Sequence, residues 1–424
     1  MKKLKKRKKN LKVLMIPLVI VIICVCFVNF YSLNNSLGNN NIEVDYSKYY
    51  SQYVKVKGEQ KLYELIDSEY IEKGKIHNGI IVELENLVTK DSPYFKIKNI
   101  NSKYYIKYDS IEKSENGRIL NDRYKNYIPY NKNVITKDIV TLYNDDGNKV
   151  YTINETLNLP IIVEDDNKYF VEFDDMLLYI LKDDINEIVE SSNSNINNTN
   201  GVPILNYHFV YKPELENCNQ EICHTEEQFR THLSYIKENG YFTPTMEELE
   251  KYIDGKLQLP KSVVITIDDG RNINIATNIL EEYKLNATAF IVTSRYDVEK
   301  DFIKSEYVEL QSHSHKLHDV GTCPSGHGQG GGLTCLSDDV VLNDLKTSRK
   351  ILNNAIAFCY PFYEYNNHSI ELLKQAGYTM AFAGEYTGGK TKAEVGIDKF
   401  RIPRWVIVNY TTMDDFISYV SGAV

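Results

Sequence analysis

The pattern of hydrophobic and polar positions divides the chain into three stretches. Residues 13–30 are almost all apolar, and this run is long enough to cross a bilayer. From about residue 50 to residue 190, short runs alternate apolar and polar residues, which is typical of small antiparallel strands. From residue 202 to the end, β-type runs alternate with helical stretches, and this predicts an α/β domain with a parallel sheet flanked by helices.

The first 49 residues have the composition of a membrane anchor and a spacer. Residues 1–12 are strongly basic and precede the apolar run at 13–30, so we expect the basic tail to stay in the cytoplasm and the rest of the chain to lie outside. No small-x-small cleavage site follows the run, which favours a retained single-pass anchor in the cell membrane over a cleaved signal peptide. Residues 31–49 are polar and predict a linker. An anchor of this kind, without an outer-membrane address, indicates a Gram-positive cell.

The β-type middle stretch contains a repeated pattern. Leu62-Tyr63 is echoed by Leu142-Tyr143, and Ile80–Glu83 by Ile161–Glu164. We therefore predict two small all-β modules, at residues 50–113 and 125–190, followed by an Asn- and Ser-rich linker at 191–201. In size and strand pattern the modules resemble bacterial Src-homology-3-like wall-binding modules. A rigid spacer is an equally open interpretation.

Charge and cysteine usage restrict the possible partners and the compartment. The formal net charge is -9, which argues against a nucleic-acid partner. Cys218 is close in sequence to Cys223, as is Cys323 to Cys335. An extracytoplasmic location would permit a disulfide within each pair, and free thiols are the alternative.

Residues 263–270 carry the first candidate chemistry. Four β-branched residues precede Ile267, and the run ends at Asp268, Asp269 and Gly270, as expected for a buried strand that stops at a turn. Two carboxylates at the C-terminal end of a parallel strand repel each other unless a proton or a cation relieves the repulsion. A solvated turn is the alternative, but the pair is a candidate metal or acid–base site.

A histidine-rich segment follows, with His313, His315 and His318. An Asp and two His would give three protein ligands and leave a coordination position open, as in catalytic zinc sites. His313 and His318 share neither a helix face nor a strand face, so the segment must leave its strand and bend if both bind one ion. His315 shares a strand face with His313 and is the rival ligand, but a bent loop makes His318 the preferred one.

These motifs together resemble a known family. Thr266–Gly270 and Leu310–His318 resemble the first two motifs of the polysaccharide deacetylases, carbohydrate esterase family 4. Val202–His208 is similar to the branch containing the poly-N-acetylglucosamine deacetylases, in which the catalytic histidine motif stands at the start of the domain. The resemblance covers residues 202–424 and implies a distorted (β/α) barrel that removes acetyl groups with a divalent metal, zinc first, with cobalt, nickel or iron as alternatives.

The resemblance also assigns roles to individual residues. It implies that Asp268 is the general base, that Asp269, His313 and His318 bind the metal, and that His208 is the general acid.

Two further segments match motifs of this family, although some of the family's usual residues are replaced. Residues 358–363 match the third motif, so Tyr360, Pro361 and Phe362 are expected to line the groove, with the Phe362 N–H directed at the oxyanion. Cys359 and Tyr363 replace the usual arginine and glycine. Because that arginine orients the base, Arg401 or Arg404 must replace it. Trp405 matches the wall of the acetyl pocket, with a position in the core as the alternative.

Several functions remain open at this stage. The expected one is deacetylation of N-acetylglucosamine in peptidoglycan outside the cell, which would confer lysozyme resistance. A second is deacetylation of poly-β-1,6-N-acetylglucosamine, which the motif order favours. A third is a non-catalytic cell-wall-binding protein, in keeping with the departures at Cys359 and Tyr363. A metal-dependent peptidase is a less favoured function, because the sequence has no His-Glu-x-x-His motif.

Overall fold

The computed structural model describes residues 53–85, 93–98, 103–117, 122–192, 199–324, 328–384 and 390–423. The predicted basic tail at 1–12, the membrane anchor at 13–30 and the linker at 31–49 lie outside these residues, as does most of the linker at 191–201. Across the described ranges, no helix has the length and apolar character needed to cross a membrane.

The region before residue 191 is all β, as predicted. Its first part contains β1 (Tyr53–Val56), β2 (Gln60–Ile66), β3 (Glu69–Ile76), β4 (Ile81–Glu83), β5 (Tyr94–Lys96), β6 (Tyr104–Lys107) and β7 (Ile111–Lys113). Its second part contains β8 (Lys132–Thr136), β9 (Val140–Tyr143), β10 (Lys149–Ile153), β11 (Asn158–Glu164), β12 (Lys168–Phe173), β13 (Met176–Leu181) and β14 (Ile185–Glu190). Period-two burial explains these strands: in β6, Tyr104 and Ile106 are buried while Tyr105 and Lys107 are partly exposed.

The two parts of this β region are joined edge to edge. β10 pairs antiparallel with β3, with Tyr151 opposite Ile76, so strands of both parts form one sheet in the order β14-β8-β11-β12-β13-β9-β10-β3-β2-β6-β5. β4, β1 and β7 form a small second sheet. One hydrophobic core contains buried residues of both parts, such as Leu62 and Val171. The Src-homology-3-like character of the two parts stays a prediction.

The region from residue 202 is α/β, as predicted. Its strands are β15 (Ile204–Tyr207), β16 (Phe209–Tyr211), β17 (Cys223–Thr225), β18 (Val264–Ile267), β19 (Ala287–Ile291), β20 (Val308–Ser312), β21 (Ala357–Cys359), β22 (Met380–Phe382) and β23 (Trp405–Val406). Its helices are α1 (Glu226–Glu238), α2 (Met246–Ile253), α3 (Ile273–Tyr283), α4 (Val298–Asp301), α5 (Asp338–Ile351), α6 (Asn367–Ala376) and α7 (Met413–Ser421). Capping boxes at Thr225, Thr245 and Asn366 begin α1, α2 and α6.

The main sheet of this domain is parallel and curved. Its order is β22-β21-β20-β19-β18-β15-β23. Ile402 exchanges backbone hydrogen bonds with Ala381 and Ala383 beside β22, while Trp405 pairs with Leu205 of β15. One short segment therefore bridges the two ends of the sheet, and the strands enclose a half-barrel. Alternate strand residues pack inward and outward, which gives the sheet two buried faces.

Two disulfides lie in the loops of this domain. They join Cys218 to Cys223 and Cys323 to Cys335. Both pairs are those that sequence proximity indicated.

The β region docks on the amino-terminal edge of the parallel sheet. Val163 of β11 forms a bridge with Leu257, and Ile128 N donates to Gln258 O at 3.0 Å. The guanidinium of Arg123 donates to the Asn286 side chain, immediately before β19, at 2.7 Å. Because these contacts precede β18 and β19 in the chain, the β region lies at the edge opposite the carboxyl ends of the strands.

Candidate active site

The carboxyl ends of the central strands bring the predicted residues to one edge. Asp268 N donates to Tyr207 O at 2.9 Å, so Asp268 and His208 directly follow the ends of neighbouring parallel strands, β18 and β15. His313 directly follows β20, and its N donates to Ile291 O at 2.9 Å. Chemistry in parallel α/β sheets is placed at this edge.

The Asp268 carboxylate is buried and held by several donors. Arg404 donates from Nη1 to Oδ1 at 2.8 Å and from Nη2 to Oδ2 at 2.9 Å. Oδ2 also accepts from Asn206 Nδ2 at 3.1 Å and from Cys359 Sγ at 3.3 Å. Burial raises the pKa of Asp268, but the charge of Arg404 outweighs it and holds that pKa well below its usual range. Asp268 is therefore a rigid, ionised carboxylate.

The two candidate arginines occupy different environments. Arg404 is 1% exposed, and its Nη2 also lies 2.8 Å from Cys359 Sγ. Arg401 instead donates to Asp398 and, at 2.6 Å, to Asn367 Oδ1, on the partly exposed surface. The structure thus places Arg404, and not Arg401, on Asp268.

Asp269, His313 and His318 converge on one point. Asp269 Oδ1 lies 3.5 Å from His313 Nε2 and 3.2 Å from His318 Nε2. His313 Nδ1 is 2.9 Å from Cys359 O, a contact that leaves Nε2 facing Asp269. All three ligand atoms lie within 4.8 Å of one another. These three residues could therefore hold one metal ion.

The backbone bends that this convergence needs are visible. Asp269 and Ser314 are non-glycine residues with positive φ, 70° and 73°. The strained conformation at Ser314 turns the chain after β20 and brings His318 back toward His313. His315 is directed elsewhere, with Nδ1 3.0 Å from Thr293 Oγ1.

Asp268, His313 and Cys359 form a second group within the same spacing. Arg404 already engages both oxygens of Asp268. A cation there would displace the guanidinium, so the electrostatics favour the Asp269 group.

His208 is partly buried at the same edge. Its Nδ1 is buried and has no hydrogen-bond partner among the described residues. Burial lowers the pKa of His208, and the charges of Asp268 and Asp269 act in the opposite direction. The imidazole is thus available to exchange a proton.

The predicted third-motif turn carries two strained residues. Phe362 and Tyr363 have φ of 56° and 60°, in the left-handed region. The Phe362 ring lies 4.3 Å from the His318 ring, while Tyr360 and Pro361 are buried beneath the turn. No hydrogen bond from Phe362 N is present in the part of the chain that the structure describes.

Trp405 lies in the core. It is 3% exposed and stacks on Tyr419, with ring centroids 4.5 Å apart. Its role as a wall of an acetyl pocket stays a prediction.

Contacts of Asn206, Arg295 and the Tyr363 hydroxyl in the site were not predicted. Asn206 donates to both Asp268 and Tyr363 Oη, the latter at 2.9 Å, and Arg295 Nη2 lies 3.4 Å from His318 Nδ1. The signal for Asn206 was present, since it is the one polar residue in the apolar run 202–207. Nothing in the sequence pattern singles out Arg295 or the hydroxyl of Tyr363.

Part of the chain is similar to known proteins. Residues 256–381 match the family model described as polysaccharide deacetylase. A search of curated proteins gave no match. Similar solved structures include the deacetylase PplD of Streptococcus pyogenes in complex with acetate, with 22% identity over 53% of this chain and 99% of that chain and a TM-score of 0.43. IcaB from Ammonifex degensii has 18% identity over 53% of this chain and 98% of its own, with a TM-score of 0.42. BC0361, a polysaccharide deacetylase from Bacillus cereus, has 18% identity over 82% of this chain and 100% of its own, with a TM-score of 0.41.

The matched family segment contains Asp268, Asp269, His313 and His318, the residues that the strand ends bring together. Residues 256–381 of the chain therefore form a polysaccharide deacetylase domain, as expected of a hydrolase that acts on N-acetyl amide bonds.

Proposed function

We propose that this protein is a metal-dependent N-deacetylase that removes acetyl groups from N-acetylglucosamine residues of peptidoglycan outside the cell. The observation that carries the proposal is the pairing of two adjacent aspartates with different surroundings. Asp268 is bound by Arg404, whereas Asp269 faces two imidazole nitrogens. Separate environments for two carboxylates indicate separate roles.

Asp269, His313 and His318 are the residues that would hold the metal. One carboxylate oxygen and two imidazole nitrogens suit zinc best, and they also suit cobalt, nickel and iron. Asp269 Oδ1 is buried and faces the two imidazole nitrogens at 3.5 and 3.2 Å, as expected of an oxygen that shares a cation with them. A metal bound there would polarise the acetyl carbonyl and lower the pKa of water.

Asp268 is the proposed general base. Its Oδ2 accepts three hydrogen bonds and its Oδ1 only one, from Arg404, among the described residues. Oδ1 therefore has the free lone pair that can take a proton from the attacking water. Because Arg404 and Asn206 fix the carboxylate plane, no reorientation is needed during the reaction.

Phe362 and His208 are proposed for the other two tasks. The Phe362 N–H, whose residue lies against His318, would donate to the oxyanion that forms when the carbonyl is attacked. An amine leaves poorly until it is protonated, and His208 would supply that proton. Burial lowers the pKa of His208, which favours release of the proton, and the negative charges of Asp268 and Asp269 partly oppose this effect.

Peptidoglycan is the proposed substrate because of the expected topology. The basic tail at 1–12 and the apolar run at 13–30 would fix the protein in the membrane of a Gram-positive cell, with the β region and the deacetylase domain outside. Free amines on the glycan would then protect it from lysozyme. Poly-β-1,6-N-acetylglucosamine is the second candidate, since His208 stands at the start of the domain.

Mass spectrometry of muropeptides tests the proposal. Peptidoglycan is incubated with the chain from residue 31 onwards, either zinc-loaded or chelated, beside an Asp268→Asn variant. We expect a metal-dependent loss of acetyl groups that the variant does not produce. Unchanged muropeptides together with deacetylated poly-β-1,6-N-acetylglucosamine would reassign the substrate. If neither polymer changed and both bound, the protein would be a non-catalytic cell-wall-binding protein.

A further inference from the structure

A glycine-rich segment is fastened to the third-motif turn by one carboxylate. Glu364 is 9% exposed, and its Oε1 accepts from Gly328 N and from Gly330 N, each at 3.1 Å. Its Oε2 accepts from Gly331 N at 2.8 Å. Three backbone N–H groups thus converge on one buried side chain. The Cys323–Cys335 disulfide closes the same segment.

The segment packs directly on Phe362. A Cβ atom at Gly328 would lie 2.6 Å from Phe362 Cβ, and one at Gly331 would lie 3.2 Å from Phe362 Cδ2. On its other side, Gly332 N donates to Leu317 O at 2.8 Å, next to the predicted ligand His318. Only residues without a side chain permit this close approach.

Phe362 needs such support. Phe362 and Tyr363 both have a left-handed backbone, which non-glycine residues adopt only when their surroundings impose it. The turn itself supplies two short-range hydrogen bonds, from Tyr363 N to Tyr360 O and from Glu364 N to Pro361 O, each 3.0 Å. Glu364 adds a connection from this turn to the glycine segment that covers the Phe362 ring.

We propose that Glu364 is a positioning residue for deacetylation, which it serves by clamping the glycine segment against Phe362 and so fixing the direction of the Phe362 N–H. The inference depends on the proposed function, in which that N–H donates to the oxyanion. An interaction made only in the transition state affects kcat and leaves KM nearly unchanged. A displaced donor therefore gives a kcat defect.

The first variant is Glu364→Gln, which keeps the size of the side chain but replaces one acceptor oxygen with an NH₂ donor. Removing an oxyanion donor outright lowers kcat by roughly 100- to 1,000-fold. Displacing it should lower kcat by about tenfold or more, with KM within about threefold. The matched control is Glu371→Gln, an exposed carboxylate of α6 whose partner is Lys374. We expect no change in kcat for this control.

Gly331→Ala tests the same contact from the other side. It keeps Glu364 but introduces a Cβ atom 2.9 Å from Leu317 O and 3.2 Å from the Phe362 ring, so Phe362 must shift. We expect the same kcat defect. Gly117→Ala, where the nearest atom is 3.7 Å away, is its control in the β region.

Two further readouts separate positioning from folding and from metal binding. Hydrogen exchange of peptides covering 328–333 and 360–366 should be faster in Glu364→Gln than in the wild type and in Glu371→Gln. Zinc affinity should stay within about threefold of the wild type, because no ligand is replaced. Lower thermal stability with unchanged kcat, or a kcat loss explained by weaker zinc binding, would overturn the positioning role. A wild-type protein inactive on every N-acetylated polymer would instead overturn the proposed function.

Discussion

Asp268 and Arg404 are both almost completely buried, at 2% and 1% exposure. A buried pair of this kind is costly to desolvate, and removing one partner is far more costly because it leaves an uncompensated charge. Two parallel N–H···O bonds give the pair a defined geometry as well as a charge match. The pair is therefore better explained by orientation of the carboxylate than by stability alone.

Arg404→Lys tests the orientation directly. The ammonium keeps the charge but cannot make both bonds, so the Asp268 carboxylate can rotate. We expect kcat to fall roughly 100-fold, since a misplacement of about 1 Å costs that much. Arg401→Lys is the comparison, because Arg401 bonds outward to Asp398 and Asn367. Equal kcat losses in the two variants would contradict the assignment.

The buried His232 should make the stability of the protein depend on pH. Burial lowers the pKa of His232 to about 4 from 6.5, and its ring stacks on Phe416 at 4.1 Å. The unfolded chain takes up the proton first as the pH falls. The free energy of unfolding therefore declines between pH 6.5 and 4, with this residue contributing about 2 kcal/mol of loss by pH 5.

Urea denaturation at pH 7 and pH 5 checks the value. In His232→Phe the ring stacking is kept and the titration is removed, so we expect the difference between the two pH values to shrink by about 2 kcal/mol. An unchanged difference in His232→Phe would show that another group causes the acid sensitivity.

At the residue scale, the sequence was sufficient to identify Asp268, Asp269, His313 and His318 as candidate site residues, because strand ends and ligand types are local properties. It could not choose between Arg401 and Arg404, since the choice depends on which side chain points into the curved sheet. Glu364 was missed for a related reason. Its partners are backbone N–H groups more than thirty residues away, which leave no sequence signal.

At the scale of elements, the short segment Asp122–Asn126, between β7 and β8, makes polar contacts with the deacetylase domain. Arg123 donates to Glu248 of α2 at 2.6 Å and to Thr243 O at 2.6 Å. Its guanidinium also lies 4.5 Å from the Phe242 ring. Glu248 is at the same time the capping-box residue of α2. The helix start and the domain contact therefore depend on the same carboxylate.

Arg123→Met should weaken the contact between the β region and the deacetylase domain. It leaves Glu248, 6% exposed, without its cationic partner, and we expect a loss of about 3 kcal/mol in the free energy of unfolding. Limited proteolysis should then cut more readily between residues 190 and 202. Arg230→Met, whose partners Glu226 and Glu282 are on the surface, should cost about 1 kcal/mol or less. Similar losses in both variants would contradict a structural role for the Arg123 contact.

The elements themselves were predictable where their periodicity was clear. Alternation predicted the strands of the β region, and the unbroken apolar runs predicted the buried parallel strands. Pairing of β3 with β10 was not predictable, because an edge-to-edge contact between two repeats adds no periodicity to either. The curvature of the parallel sheet was not predictable either, since it depends on the bridging contacts of Ile402 and Trp405.

At the scale of the whole molecule, the β region and the active site lie at opposite edges of the parallel sheet. Tyr124, Ile162, Val163 and Phe170 of the β region share a hydrophobic core with α2 and with the inner face of the sheet. The β region is thus part of the structural support of the deacetylase domain. It does not line the catalytic edge through any contact that the described residues show.

A fragment of residues 202–424 should therefore be less stable than the chain from residue 31 onwards. It would expose the apolar surface around Leu257 and Ile253 that the β region covers. We expect a Tm lower by at least about 5 °C, since a few kcal/mol shift the Tm of a domain of this size by that amount. Differential scanning calorimetry of both proteins measures it, and equal Tm values would show that the shared core contributes little.

The two adjacent aspartates have different roles in the proposed mechanism, and acetate release at measured metal occupancy tests this difference. The wild type, Asp268→Asn and Asp269→Asn are loaded with zinc, and bound metal and released acetate are determined on the same samples. We predict that Asp268→Asn keeps one zinc per chain and loses roughly 100- to 10,000-fold in rate, as expected when a general base is removed. Asp269→Asn should lose the zinc itself. Wild-type rates in zinc-loaded Asp268→Asn would contradict the central claim.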